Sequence, residues 1–179
     1  MRLGNNLWES AKFNAGGQIT EIGLGNSATD TSFLKLELSY GSATENNGSL
    51  REQKISYSGL AQPMIQSYTY DNLNRLKTAT ETYNGGTVSW KQTFDIDRFG
   101  NRKFDLSNTT TPNLSQQSEK VINPLIDTST NRLVEDQDND FVKDYEYDAA
   151  GNLTKDATGK LFAYNAMRAG LSPRAFTMR

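Results

Sequence analysis

Tyr145-Glu146-Tyr147-Asp148-Ala149-Ala150-Gly151-Asn152-Leu153 reads as a β-hairpin folded around a tight turn. Asp148 suits the first position of a type I turn, where its carboxylate accepts hydrogen bonds from nearby backbone N–H groups. Gly151 falls where the chain next needs positive φ, which a residue without Cβ adopts at no steric cost. A type I turn followed by a left-handed glycine is a common three-residue hairpin loop with a bulge. In that geometry Asp148 pairs with Asn152 and Tyr147 faces Leu153, a cross-strand contact worth about 0.2–1 kcal/mol. One such hairpin is marginal in water, but the chain repeats it.

The template is apolar-x-apolar-Asp/Asn, two or three turn residues, then a polar and an apolar residue. Phe13-Asn14-Ala15-Gly16-Gly17-Gln18-Ile19 is its first copy. Leu38-Ser39-Tyr40-Gly41 opens a second, whose turn has grown into a polar loop ending at Asn46-Asn47-Gly48. Tyr68-Thr69-Tyr70-Asp71-Asn72-Leu73-Asn74-Arg75-Leu76 follows, with Asn74, the next best residue at positive φ, in place of the glycine. Phe94-Asp95-Ile96-Asp97-Arg98-Phe99-Gly100-Asn101-Arg102 is the fourth, in which Phe94 is expected to face Phe104. Leu125-Ile126-Asp127 through Asn131-Arg132-Leu133 has one extra turn residue, and Phe162-Ala163-Tyr164-Asn165 begins a last copy. The irregular spacing fits hairpins joined by variable loops better than the fixed coils of a solenoid.

These residues resemble the YD repeat, also called the RHS repeat. Its signature, a Tyr-Asp pair followed by Asn-Arg-Leu or Gly-Asn-Leu, matches Tyr70-Asp71 with Asn74-Arg75-Leu76, and Tyr147-Asp148 with Gly151-Asn152-Leu153. Asp97 with Gly100-Asn101-Arg102 is a third close match. The resemblance implies an all-β fold, tandem antiparallel hairpins forming a curved strip that is part of a larger spiralling shell. In Rhs-type and toxin-complex proteins such a shell encloses a C-terminal effector; in the distantly similar teneurins it is an extracellular adhesion scaffold. The implied function is a non-enzymatic scaffold at a bacterial cell surface or in a secreted toxin system, whose partners are the rest of its shell and an enclosed effector. The alternative is a module that binds a cell-surface glycan or receptor. Residues 1–166 form the expected array. The tail 167–179, where Met167-Arg168-Ala169 replaces the expected motif, is expected to lie outside the sheet.

Composition narrows the chemistry. The 179 residues are 35 % hydrophobic, with a mean hydropathy of −0.69, which predicts no large core. A formal charge of −2 offers no basic face for nucleic acid, and no run approaches the roughly 18 apolar residues of a membrane span. Residues 1–12 lack the apolar stretch of a secretory signal, so a fragment or a route without a cleaved leader is expected. The absence of cysteine and histidine excludes Ser–His and Cys–His nucleophile pairs and the usual zinc sites. No cofactor is expected. A hydrolytic carboxylate pair needs unlike groups converging in one pocket, whereas the aspartates here recur at equivalent turn positions.

Three patterns carry alternatives. Gly23-Leu24-Gly25-Asn26-Ser27-Ala28 matches a dinucleotide fingerprint, but no helical periodicity follows it, so a turn is the reading. Asp136, Asp138 and Asp140 have the spacing of the first ligands of a calcium loop. Phe141 stands where such loops turn on glycine, and Tyr147 where they end on glutamate, so a solvated acidic loop is preferred over a metal site. Trp8, Trp90, Tyr68 and Tyr145 could stack on sugar rings; packing against a sheet face is preferred.

Overall fold

The structure, a computed structural model, describes residues 1–111 and 116–164. The turn begun at Asn165 and the tail 167–179 lie outside the described residues. The chain forms two compact units that divide within the polar segment after Asn108.

The first unit is a single antiparallel sheet whose strands follow chain order: β1 (Trp8–Phe13), β2 (Ile19–Gly25), β3 (Leu34–Ser39), β4 (Glu52–Tyr57), β5 (Met64–Tyr70), β6 (Leu76–Tyr83), β7 (Val88–Ile96) and β8 (Arg102–Phe104). Each strand pairs with the one before it, so the all-β tandem-hairpin architecture holds. Alternation gives the sheet two unlike faces. On one, Ala11, Ile22, Leu36, Ile55, Met64 and Tyr83 stand opposite one another in successive pairs. On the other, Lys12, Glu21, Glu37 and Lys54 form a row crossing four strands, with Lys12–Glu21 at 2.8 Å and Lys35–Glu37 at 2.9 Å. Further along that face the row becomes Thr69, Thr78 and Thr93, and the Thr69 and Thr78 hydroxyls lie 2.6 Å apart. One layer cannot enclose side chains on both sides. Ala79 and Phe94 are its buried apolar residues, and no large side chain among the described residues is fully buried.

Gly23 and Gly25 belong to β2, not to a nucleotide loop. A Cβ on Gly25 would meet the Asp30 backbone at 2.4 Å, and one on Gly23 would meet Thr31 at the same distance. These glycines let residues 26–33 fold back over the strand. The polar, non-periodic stretch 107–118 reads from its sequence as the longest flexible connection, but its first residues, 107–110, are held. Asp105 caps a 3-10 turn over Leu106–Asn108, and Thr110 then donates its N–H to the Lys91 carbonyl at 2.7 Å. The short β8 leaves that flank of β7 bare, and the threonine segment fills it.

The second unit has two small hairpins, β9 (Ile126–Asp127) with β10 (Arg132–Leu133) and β11 (Glu146–Tyr147) with β12 (Leu153–Lys155). One helical turn, α1 (Glu119–Ile122), precedes them. Buried Gln137 stands in for a strand partner: its Nε2 donates to the carbonyls of Leu125 (3.1 Å) and Val134 (2.6 Å), while its Oε1 accepts from the Leu125 N–H.

An open sheet invites pairing at its edges. Met1 and Arg2 cover the start of β1, where Glu9 donates its N–H to the Met1 carbonyl, but no described residue pairs with its outer side from Ala11 to Phe13. The chain is therefore expected to self-associate, and Phe13→Lys, a charge at an exposed edge position, to suppress it. Light scattering over a concentration series checks this; a monomeric wild type at all concentrations would refute edge pairing.

Candidate functional site

The turns are the most regular chemistry of the chain. Asp148 Oδ1 accepts from the N–H groups of Ala150 (3.0 Å) and Asn152 (2.8 Å), and its Oδ2 from Asn152 Nδ2 (2.9 Å). Gly151 follows at φ 84°. Asp71 repeats this with Leu73 and Arg75, its Oδ2 accepting from Arg75 Nε at 2.7 Å, and Asn74 sits at φ 59°. Asp97 does so with Phe99 and Asn101, followed by Gly100 at φ 90°. Asn14 does it with an amide oxygen, bonding the N–H groups of Gly16 and Gln18. Asp127 bonds Ser129, and its extra residue moves the left-handed position to Asn131.

One further copy escaped the sequence reading. Asp156 Oδ1 accepts from Thr158 (2.9 Å) and Lys160 (3.1 Å), with Gly159 at φ 80°. It follows β12 directly, and the apolar template fails because Lys155 stands where Tyr147 does. The Asp-x-x-Gly spacing alone was the available signal.

The meander places the turns at Asn14, Asp71 and Asp97, with the long loop 40–51, at one end of the first sheet. There they are laced together. Tyr40 donates its hydroxyl to the Ile19 carbonyl (3.0 Å), and Asn46 Nδ2 donates to Gln18 Oε1 (2.6 Å). Tyr70 reaches back to the Leu50 carbonyl (2.7 Å), and Asn47 Nδ2 to Asn74 Oδ1 (2.7 Å). Ile96 has no hydroxyl, and at that junction Arg75 reaches forward to the Asp97 carbonyl at 2.7 Å. The second unit repeats the rule. The Tyr147 hydroxyl accepts from the Leu133 N–H at 3.1 Å, and Arg132 lies over the Tyr147 ring and against Gly151. Tyr40, Tyr70 and Tyr147, each the last residue before its loop or turn, are thus hydrogen-bonding residues aimed at the preceding hairpin.

Lowered pKa values follow from this geometry. Arg75's backbone N–H lowers that of Asp71, the Asn101 side chain that of Asp97, and the Asn152 side chain that of Asp148. At Asp156 burial opposes the shift, but the Thr158 hydroxyl and the turn N–H groups prevail.

The acidic loop folds differently from its expected ligand order. Asp136, Asp138 and Asp144 bring carboxylate oxygens within 4.8 Å of one another, whereas Asp140 turns away to cap the Val142 N–H at 2.8 Å. Phe141 takes the left-handed conformation of the loop glycine, at φ 67°. A cation already sits there: Lys120 Nζ lies 2.7 Å from Asp144 and 3.2 Å from Asp138. Lys120's bond holds the Asp144 carboxyl below the usual range. No sequence pattern signalled Lys120 or Asp144.

The four candidate aromatics do not share one platform. Trp90 stands opposite Glu81 and Tyr68 opposite Ala79 on the apolar face, while alternation places Trp8 on the other. Tyr145 belongs to the second unit, only 6 % exposed, its hydroxyl donated to the Lys120 carbonyl. Among the described residues no helix is long and apolar enough to cross a membrane. Scans of protein-family models and of curated proteins each return no match to the chain.

Gly151→Val is expected to destabilise the second unit by about 1–2 kcal/mol, because a β-branched residue resists positive φ. Its side chain would also displace Arg132, whose Nη2 lies 2.3 Å from the Cβ position. An unchanged denaturation midpoint would refute the turn assignment.

Carboxyl groups with lowered folded pKa values bind fewer protons folded than unfolded, so stability is present above about pH 4 and lost as pH falls through the folded values. Thermal midpoints measured from pH 6 to pH 2 should show that fall, and Asp97→Asn should flatten it. With Lys120 in place, millimolar calcium is expected to leave the melting temperature unchanged, and Lys120→Gln to make it calcium-responsive. A rise of several degrees in the wild type would mean that calcium displaces the ammonium.

Proposed function

We propose that this chain is a non-enzymatic repeat scaffold, a segment of an Rhs-like shell of a bacterial cell-surface or secreted polymorphic toxin system. The observation that supports this reading is the laced turn edge. Hairpins with self-capped turns are bonded to their neighbours by one or two side chains at that edge, which is what an extendable strip requires. The turn carboxylates are consumed by backbone N–H groups, which suits them to structure rather than to proton transfer. Terminal hairpins of a strip leave edges that more repeats would pair, and a strip of many hairpins can enclose a segment of its own protein.

The test is limited proteolysis of the parent protein carrying this array. A segment enclosed by the shell should resist cleavage in the wild type and become sensitive when Tyr70→Phe and Asp71→Ala loosen one junction. Equal cleavage in both would refute enclosure, and glycan-dependent retention on an array would favour an adhesion module instead.

A further inference from the structure

Glu81 sits on the apolar face of β6, only 7 % exposed. Two glutamates of the opposite face have lysines: Glu21 pairs with Lys12 and Lys35, Glu37 with Lys35 and Lys54. Glu81 has none. Among the described residues no ammonium or guanidinium lies within ion-pair distance of it. Its Oε2 accepts from Gln66 Nε2 at 2.8 Å, and Gln66 Oε1 in turn accepts the Tyr68 hydroxyl at 2.7 Å. Among the described residues the side-chain oxygens sealed without a partner belong to Thr111 and Asp136, so Oε1 of Glu81 still meets solvent. A chain of two hydrogen bonds therefore fixes the carboxylate and leaves one oxygen free. Burial raises the Tyr68 hydroxyl, and the charges of Tyr70 and Glu81 add to that.

The surroundings define what could meet that oxygen. Trp90 stands directly across from Glu81, and Tyr68 is its diagonal neighbour on β5. Aromatic faces beside a carboxylate attract a cation twice, through charge and through the ring quadrupole. Beyond them the face is Leu36, Ile55 and Met64. A burial-prone carboxylate without a counter-charge is unfavourable, and an arriving cation would relieve it.

We propose that Glu81, Gln66, Tyr68 and Trp90 form a docking site for a lysine ammonium carried by an apolar segment of a partner polypeptide. Lysine fits better than arginine. A guanidinium binds a carboxylate through both oxygens, and Gln66 holds one of them. A polypeptide fits better than an amino sugar because the neighbouring surface is aliphatic. The site does not depend on the shell reading, since it lies within one sheet.

The experiment titrates the protein with acetyl-Leu-Lys-Leu-amide and with the same peptide acetylated on the lysine side chain. The Trp90 indole N–H resonance reports binding, assigned with Trp8→Phe. The lysine peptide should bind at least tenfold more tightly than its acetylated twin. Glu81→Gln should bring the two peptides to equal affinity while the sheet resonances stay dispersed. Equal affinity in the wild type overturns the proposal, and that comparison needs no variant, so misfolding of Glu81→Gln cannot rescue it. A response to glucosamine as strong as to the peptide would overturn the polypeptide assignment. A shift of Trp90 with protein concentration alone would assign the face to a second copy of the chain.

Discussion

One carboxyl oxygen accepting two backbone N–H groups is the constraint on which the hairpins depend. A three-residue hairpin loop strands N–H groups that no strand can satisfy, and the side chain at its first position collects them. Asp71, Asp97, Asp148 and Asp156 all do this, and Asn14 achieves it with an amide. The left-handed residue three positions later closes the loop, and glycine or asparagine holds it in every case. Since the turn satisfies itself, neighbouring strands can carry almost any side chains and still return in register. That freedom is what allows one face to be aliphatic and the other a lattice of lysine, glutamate and threonine.

Stability is correspondingly local. With no fully buried large side chain among the described residues, cohesion comes from cross-strand pairs of roughly 0.2–1 kcal/mol each and from the stitches between turns. The tyrosine hydroxyls have a share that packing alone would not predict. Tyr40, Tyr70 and Tyr147 each bond the main chain of the hairpin before their own. The second unit shows another solution, with Gln137 and Asp144 bonding backbone N–H groups where two-residue strands are too short to organise a loop.

Much of the fold was legible because turn chemistry is written in adjacent residues. Asp148 and Gly151 are three positions apart, so their joint meaning can be read without tertiary knowledge, and the hairpin order follows from repeating it. The stitches were not legible, because Tyr70 and its acceptor Leu50 are joined only by the register of two strands. Nor was the acidic loop. Asp136, Asp138 and Asp140 share a spacing, but the third oxygen comes from Asp144, and the cation among them from α1. The polarity of residues 107–118 suggests slackness, whereas the Thr109 and Thr110 hydroxyls and the Thr110 N–H serve the bare flank of β7.

The direction of the tyrosine bonds has a consequence for how the chain is built. Tyr40, Tyr70 and Tyr147 each find their partner at a lower residue number, in a hairpin the ribosome has already released. Contacts of this kind span only some 14 to 21 residues, and proteins dominated by short-range contacts fold fast. Synthesis at roughly 5–20 residues per second leaves each hairpin a second or more to form before the next arrives. The strip can therefore grow like a zip closed from its N-terminal end, each emerging tyrosine latching onto a finished neighbour.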